Sequence, residues 1–169
     1  MFNSLLKRIV SSPVLIYIIR CLIGFLIGYK LYQEFPDFEL FWTLLSIILV
    51  ISPEEKDTRK LSTERFKSNF IGSAVALILL LFMEPNIYAI IFGIFITIII
   101  CRLFRVLNMA RVALVTLLII MVQPHQEGLV EAPIYRFGSV AIGCFIGLVI
   151  VVLTSMIFRP LKRKYGIPY

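Results

Sequence analysis

The sequence predicts an all-α membrane protein with six transmembrane helices, arranged as two inverted three-helix repeats. Three observations predict this fold: the apolar share of the composition, six separate apolar segments, and a motif that recurs 71 residues along the chain. Of the 169 residues, 60% are apolar, and the mean hydropathy is +0.96. Soluble domains are about 45–50% apolar. A small soluble fold cannot hide this excess, because much of its surface stays in water, so the composition favours lipid as the solvent.

Each of the six apolar segments is bounded by charged residues, Pro or Gly. A straight helix needs roughly 20 residues to cross about 30 Å of hydrocarbon, and five segments reach or approach that length. The second segment covers only about 18 Å if it is helical. It therefore either continues past Pro53 or is a half-span that ends inside the bundle. The segments are residues 14–32, 40–51, 66–83, 87–104, 106–122 and 134–158.

The second segment is followed by Ser52-Pro53-Glu54-Glu55, a pattern that predicts the start of a new helix. Ser at the N-cap, Pro at the first helical position and Glu three residues after the Ser form a capping box. Glu55 is then spaced to pair with Arg59 on the next turn. Because residues 54–60 are too charged for lipid, we expect a helical linker in water.

The basic residues predict the orientation of the chain. If the N-terminus is cytoplasmic, fourteen Lys and Arg residues fall inside, Lys30 and Arg136 fall outside, and Arg20 lies within the first span. Cytoplasmic loops carry such an excess, so we expect both termini in the cytoplasm. This role also explains the net charge of +7, and it argues against a nucleic-acid partner.

An internal repeat is visible in the third and sixth segments. Residues 65–72 read R-F-K-S-N-F-I-G and residues 136–143 read R-F-G-S-V-A-I-G, which match at five of eight positions with an offset of 136 − 65 = 71. The same offset relates Pro53 to Pro124. The first and fourth segments show no detailed match, so their equivalence is inferred by elimination.

Each repeat contains three spans, an odd number, so the two copies must cross the membrane in opposite directions. Inverted repeats are typical of secondary transporters and some channels, whose substrate lies near the midplane, and paired helix breaks such as Pro53 and Pro124 point to that site. The predicted organisation is an interfacial segment, two repeats and a basic cytoplasmic tail. These are residues 1–13, 14–83, 84–159 and 160–169, respectively.

Three arginines are candidates for substrate binding. Arg65 and Arg136 begin equivalent spans, and a guanidinium group can hold a carboxylate by two parallel hydrogen bonds. Alternatively, Arg65 is an inside anchor, and Arg136 pairs with Glu127 or Glu131. Arg20 lies deep in the first span, where a charge is costly and often functional, although its long side chain can also reach back to the interface.

Other basic residues have simpler explanations beside the functional ones. Arg102, Arg105 and Arg111 flank a short turn, where they either set the topology or form a cationic vestibule. His125 follows Pro124 and is interpreted as a solvated loop residue, with proton coupling as the alternative.

Glycines in the apolar segments predict close helix packing. Two pairs have the G-x-x-x-G spacing that lets backbones approach, and a further Gly ends the first copy of the repeated motif. We expect them to pack within the chain or at a dimer interface. Trp42 is expected to anchor the chain at the membrane interface. The packing glycines are Gly24 with Gly28, Gly143 with Gly147, and Gly72.

The sequence does not predict an enzyme. It contains one His and three Cys, and we find no catalytic triad, no metal-ligand cluster and no phosphate loop. Cys21, Cys101 and Cys144 lie in or beside apolar segments, where a free thiol behaves as a small hydrophobe. We therefore expect no metal and no cofactor.

A family resemblance is carried by Trp42-Thr43, Pro53, Thr58, Arg65 and Gly72. This stretch resembles the block of the fusaric acid resistance (FUSC-like) family, which includes the aromatic acid exporters. The second copy is similar in layout, with Pro124, Arg136, Gly143 and the closing Arg159-Pro160. The resemblance implies an exporter of small, often aromatic, carboxylates in a bacterial inner membrane. The plant aluminium-activated malate channels have a similar six-span design and pass anions.

Two departures from the family pattern stand out. Members often carry Gly-Thr where this chain has Gly72-Ser73, and many have a large cytoplasmic region and a second membrane half, whereas this chain ends nine residues after Pro160. We therefore expect a homo-oligomer in lipid that transports small organic anions between its repeats. The alternatives are a scaffold that recruits proteins through residues 56–67 and the basic tail, without transport, and a subunit of a larger exporter.

Overall fold

A computed structural model describes residues 12–35, 40–122 and 131–164. These parts of the chain are helical, with short connections and no strand, as the all-α prediction expects. A 3-10 turn, Leu107–Met109, precedes the fifth helix. The helices are α1 (Pro13–Glu34), α2 (Phe41–Val50), α3 (Glu55–Phe82), α4 (Ile87–Leu103), α5 (Ala110–Val122) and α6 (Glu131–Lys164).

Three of these helices, α1, α3 and α6, are long and apolar enough to cross a membrane, and the other three are shorter apolar helices. The outer faces of α1 and α4 carry large exposed apolar side chains, among them Leu26 and Phe95, each 64% exposed. Water would penalise such faces, whereas lipid would not. The chain is therefore a membrane protein.

Four helices form the centre of the bundle. The most extensive helix–helix interfaces join α2 to α6, α3 to α6 and α3 to α5. On the outside, α1 packs on α2 and α6, and α4 packs on α5 and α3. The largest buried apolar cluster lies between α3, α4 and α5, with Leu79, Ala89 and Leu117 among its members. One face of each short helix, α2 and α5, is thereby buried against protein, while side chains such as Leu49 and Val115 stay exposed.

The break after α2 differs from the predicted capping box. The second span does not continue past Pro53, because α2 ends at Val50 and Ile51 is extended. The N-cap of α3 is Glu54, which makes no side-chain cap bond. Instead, the Ser52 N–H donates to Thr58 Oγ1 at 3.0 Å. The prediction of a Ser52 cap was wrong because burial of this amide requires a partner from the first turn of α3.

The predicted linker is not a separate element, because α3 runs unbroken for 28 residues. Thr58 and Ser62 are buried, and the Ser62 hydroxyl donates to the Cys144 carbonyl of α6 at 3.2 Å. One face of the charged segment therefore packs against protein while its other face is exposed. The predicted pair of Glu55 and Arg59 is confirmed, at 2.7 Å.

Two glycines allow helix backbones to touch. A Cβ built on Gly143 would lie 2.5 Å from the Thr43 carbonyl oxygen and 2.6 Å from Ser46 Cβ, so α6 and α2 meet without a side chain between them. A Cβ on Gly72 would likewise collide with the Ala113 carbonyl of α5. Both collisions involve backbone atoms, which cannot move aside as a flexible side chain does.

We predict that Gly143→Ala destabilises the bundle by about 1–3 kcal/mol, the usual cost of overpacking. Gly138→Ala, five residues earlier on the same helix, is the matched control because a Cβ there meets nothing within 4 Å. Thermal unfolding in detergent should show a lower Tm for Gly143→Ala, and an unchanged or higher Tm for Gly138→Ala. Equal Tm values for the two variants would contradict this packing.

The end of α4 contains a left-handed residue that is not glycine. Arg105 has φ of 57°. Around it, the Val106 N–H bonds to the Cys101 carbonyl at 2.9 Å, and the Arg105 N–H bonds to the Arg102 carbonyl at 3.2 Å. These two bonds form a Schellman motif, in which glycine is the favoured residue at the left-handed position.

We predict that Arg105→Gly raises stability by about 1 kcal/mol, because the left-handed conformation costs a residue with a Cβ roughly that amount. Arg105→Ala removes the same charge but keeps the Cβ, so it should not gain stability. Comparison of the three Tm values in one detergent tests this, and an equal gain for Arg105→Ala would assign the effect to charge instead.

Candidate functional site

A groove of about 410 Å³ lies between the four central helices. Its polar side chains include three arginines, Arg65 from α3, Arg111 from α5 and Arg136 from α6. Trp42 and two leucines of α2 face two valines of α5 across it. Among the described residues that line the groove, none is acidic. The remaining lining residues are Leu45, Leu49, Asn69, Asn108, Met109, Val112, Val115 and Thr116.

Arg65 is half-buried, and its Nε donates to Ser46 Oγ of α2 at 3.2 Å. The next turn of α3 carries Asn69, which is almost fully buried. Asn69 Nδ2 donates to the Arg65 carbonyl at 2.9 Å, and its Oδ1 accepts from the Thr116 hydroxyl at 2.8 Å. This chain of bonds connects α2, α3 and α5 on one side of the groove.

Arg136 lies under an aromatic ring. Its guanidinium carbon Cζ is 3.4 Å from the centroid of the Trp42 ring, and the residue is only 4% exposed. A guanidinium over the face of Trp is attracted by the negative face of the ring, and this cation–π contact strengthens as water is excluded. The ring in turn meets Phe41 edge-on, with centroids 5.4 Å apart.

Arg20 is not a lining residue of this groove. Its guanidinium is 3% exposed and makes four hydrogen bonds at the break between α2 and α3. Nη1 donates to the carbonyls of Ser52 and Pro53 at 2.9 and 2.7 Å. Nε and Nη2 donate to the hydroxyls of Thr154 and Ser155 in α6, at 2.9 and 2.8 Å. Arg20 therefore ties the break to α6.

The remaining predicted residues have separate places. Pro53 lies in the break that Arg20 binds, while Pro124 and His125 lie outside the described residues. Each of the five packing glycines lies against another helix of this chain. Gly24 and Gly28 of α1 face α2, Gly72 faces α5, and Gly143 and Gly147 face α2. Within the described ranges no group of three His, Cys, Asp or Glu side chains is arranged to hold a metal.

Sequence reasoning placed Arg65 and Arg136 as a pair but did not find three of their neighbours. The sequence predicts an interface anchor at Trp42 and a topology signal or vestibule residue at Arg111, and it assigns no role to Asn69. Asn69 carried a usable signal, because an amide within an apolar segment needs internal hydrogen-bond partners. The position of the Trp42 ring over Arg136 depends on how α2 meets α6.

The groove has the physical properties of an anion site. Three guanidinium groups around one cavity, with no acidic side chain among its described lining residues, produce a positive potential. Each group can present two parallel N–H donors to a carboxylate. The volume lies within the range of pockets that take small organic molecules.

A family model described as fusaric acid resistance protein-like matches residues 19–150. The match includes Arg20, the break at Pro53 and the groove arginines, and it confirms the resemblance seen in the sequence. A search of curated proteins and a search of solved structures returned no significant match.

We predict that Arg20→Lys destabilises the protein by roughly 3 kcal/mol, because an ammonium has only three donors and cannot reach the four acceptors of the guanidinium. Arg159→Gln is the control. Arg159 pairs with Glu55 at 2.8 Å but is 61% exposed, so its loss should cost less than about 1 kcal/mol. Thermal unfolding in detergent separates the two, and a small effect of Arg20→Lys would mean that the break does not depend on these bonds.

Proposed function

Because the chain belongs to the fusaric acid resistance protein-like family, a family of membrane transporters rather than enzymes, we propose that it carries small organic anions through the groove between its central helices. The observation that supports this proposal best is the convergence of Arg65, Arg111 and Arg136 on one cavity that no described acidic side chain lines. Such a cavity attracts carboxylates and repels cations. Arg65 and Arg136 are the proposed substrate ligands. The predicted ligand role of Arg20 requires its guanidinium to leave the four acceptors that now hold it.

The inverted repeat is part of the proposal, and the buried positions of the short helices support it. The buried residues from Thr43 to Ile51, in α2 and at its C-cap, match the buried residues of α5 at a constant offset of 113 − 43 = 70. This register differs by one residue from the offset of 71 between Arg65 and Arg136. The pairs are Thr43 with Ala113, Ser46 with Thr116, Ile47 with Leu117, Val50 with Ile120, and Ile51 with Met121.

The pattern of helix contacts also supports a two-fold relation between residues 14–83 and 84–159. Exchange of α1, α2 and α3 for α4, α5 and α6 turns the α1–α2 contact into α4–α5, α2–α6 into α5–α3, and α1–α6 into α4–α3. The contact between α3 and α6 maps onto itself. Only the contact between α2 and α3 departs clearly from this symmetry among the described helices.

The first and fourth helices, equated by elimination in the sequence, each carry a glycine whose contacts match in two places. A Cβ on Gly24 would meet Ile47 of α2 at 2.8 Å and Ile150 of α6 at 3.8 Å, while a Cβ on Gly93 would meet Leu117 of α5 and Leu79 of α3 at 3.1 and 2.6 Å. Ile47 corresponds to Leu117 and Ile150 to Leu79 in the proposed repeat. These contacts support the proposed equivalence of Gly24 and Gly93.

The membrane arrangement that we propose has six spans with both termini in the cytoplasm of a bacterial inner membrane. The shortness of α2 and α5 serves transport in this arrangement. Helices of 10 and 13 residues are only about 15–20 Å long, which is shorter than the thickness of the bilayer. An anion that passes beside them therefore follows a shorter path along the protein than it would beside a full-length span. Assembly of two or more copies is proposed with it.

Anion flux through the purified protein in liposomes tests the function. We expect Arg65→Gln and Arg136→Gln each to lower the flux of benzoate or malate at least about tenfold, because each removes a charge-assisted pair of hydrogen bonds. Arg102→Gln is the control, since this exposed arginine at the end of α4 is not a lining residue of the groove.

Equal losses in all three variants would attribute the effect to surface charge rather than to the groove. The wild-type protein could instead be folded, pass neither anion, and be isolated from membranes in a stable complex with a partner. That result would favour the scaffold or the exporter subunit over a transporter that acts without partner proteins.

A further inference from the structure

The charged first half of α3, residues 55–67, lies beside the apolar helix α6. The Ser62 hydroxyl donates to the Cys144 carbonyl at 3.2 Å. One turn further along α3, the rings of Phe66 and Phe137 pack with their centroids 5.2 Å apart. These two contacts fix the side of α3 that faces α6, and the opposite side of the same turns points away from the bundle.

The neighbouring stretch of α6 faces lipid. Between Cys144 and Arg159, α6 exposes Phe145 by 68% and Leu153 by 55%. Large apolar side chains of this kind are penalised by water and not by lipid. Arg159 binds Glu55, the first residue of α3, at 2.8 Å. The first half of α3 therefore starts at the end of the lipid-facing stretch of α6 and runs alongside it, at the depth of the bilayer.

The outward side of this half of α3 carries a stripe of four charges. Asp57, Lys60 and Lys67 are exposed, and Glu64 is partly exposed. Their spacing of three, four and three residues places them on one side of the helix, away from the buried Ser62. Within the part of the chain that the structure describes, none of the four has an ion-pair partner. Because a charge that faces lipid alone is costly, this stripe needs a surface that supplies opposite charges.

A second copy of the chain has the complementary charges. The sign alternates along the stripe from Asp57 to Lys67, so two stripes that run side by side can pair each acid with the base three residues along the partner helix. Three residues of a helix rise only about 4.5 Å, which a lysine side chain can span. A two-fold axis normal to the membrane keeps both copies in the same orientation and makes every pair occur twice.

The charges of the stripe favour a contact between copies over a water-filled path for anions. A path that attracts anions needs an excess of basic side chains, whereas the stripe contains two acids and two bases and has no net charge. None of the four residues lines the groove. Arg65, which does, lies on another side of α3 and bonds to Ser46 of α2.

We propose that two copies of the chain assemble side by side through this stripe of α3. Asp57 pairs with the partner's Lys60, and Glu64 pairs with the partner's Lys67, each pair occurring twice. This proposal rests on the proposed assembly of two or more copies and not on anion transport. Because the stripe and the groove lie on different sides of α3, each copy keeps a groove of its own.

The test measures dimerisation of the full chain in phosphatidylcholine liposomes, by Förster transfer between copies that carry donor and acceptor labels. Lys60→Glu places a carboxylate against the partner's Asp57, and like charges at a contact repel, so dimerisation should weaken at least about tenfold. Asp57→Lys should weaken it similarly. The double variant with both changes restores opposite charges in reversed order and should recover the dimer. Lys30→Glu, on α1 and 75% exposed, is the control and should leave dimerisation unchanged.

The outcomes separate this proposal from its neighbours. Recovery in the double variant would support the pairing, because a general effect of either residue on folding would not be reversed by the second change. A folded wild-type chain that stays monomeric at every protein-to-lipid ratio would overturn the proposal. A wild-type dimer that neither single variant weakens would overturn this surface, while assembly through another face stands. An intact dimer that passes no anion would overturn the transport function alone.

Discussion

The contact between helix backbones at Gly72 and Gly143 determines how the rest of the bundle is arranged. At these positions α3 meets α5 and α6 meets α2 without a side chain between them. Backbones this close bring short polar side chains within reach of carbonyls on the facing helix, as the bond from Thr43 to Ser139 illustrates. In lipid, packing and hydrogen bonds of this kind replace the hydrophobic driving force. The buried faces of α2 and α5 are thereby packed against α6 and α3, and α1 and α4 take outer positions exposed to lipid.

A broken helix inside a membrane protein requires that its free carbonyls be satisfied by protein, because lipid offers no donors. The α2–α3 break meets this condition through one residue. Arg20 donates to two carbonyls of the break and to two hydroxyls of α6, and the Ser52 amide finds Thr58. The cost of a buried guanidinium is thus offset by four charge-assisted bonds. The same residue explains why α2 can be short.

Those features of the fold that depend on composition and local pattern were predictable. The six apolar segments, the pair of Glu55 with Arg59, and the shared place of Arg65 and Arg136 in one groove all follow from residues read in order. Features that depend on how helices meet were not. The capping box at Ser52 was the best local solution, but tertiary burial gave Ser52 another partner. The contact of Trp42 with Arg136 depends on how α2 meets α6, which no local pattern encodes.

The partners of the arginines divide them into two electrical classes. Arg59 and Arg159 share the single carboxylate of Glu55, which offsets part of their positive charge at the surface. In the groove, Arg65 instead donates to a hydroxyl, and Arg136 lies against an indole ring. A hydroxyl holds a guanidinium in place without neutralising it, so the positive charge of Arg65 stays available to a ligand. A hydroxyl is also a weaker partner than a carboxylate, and an incoming anion can displace it. A passage for anions needs both properties, since binding must be strong enough for entry and weak enough for release.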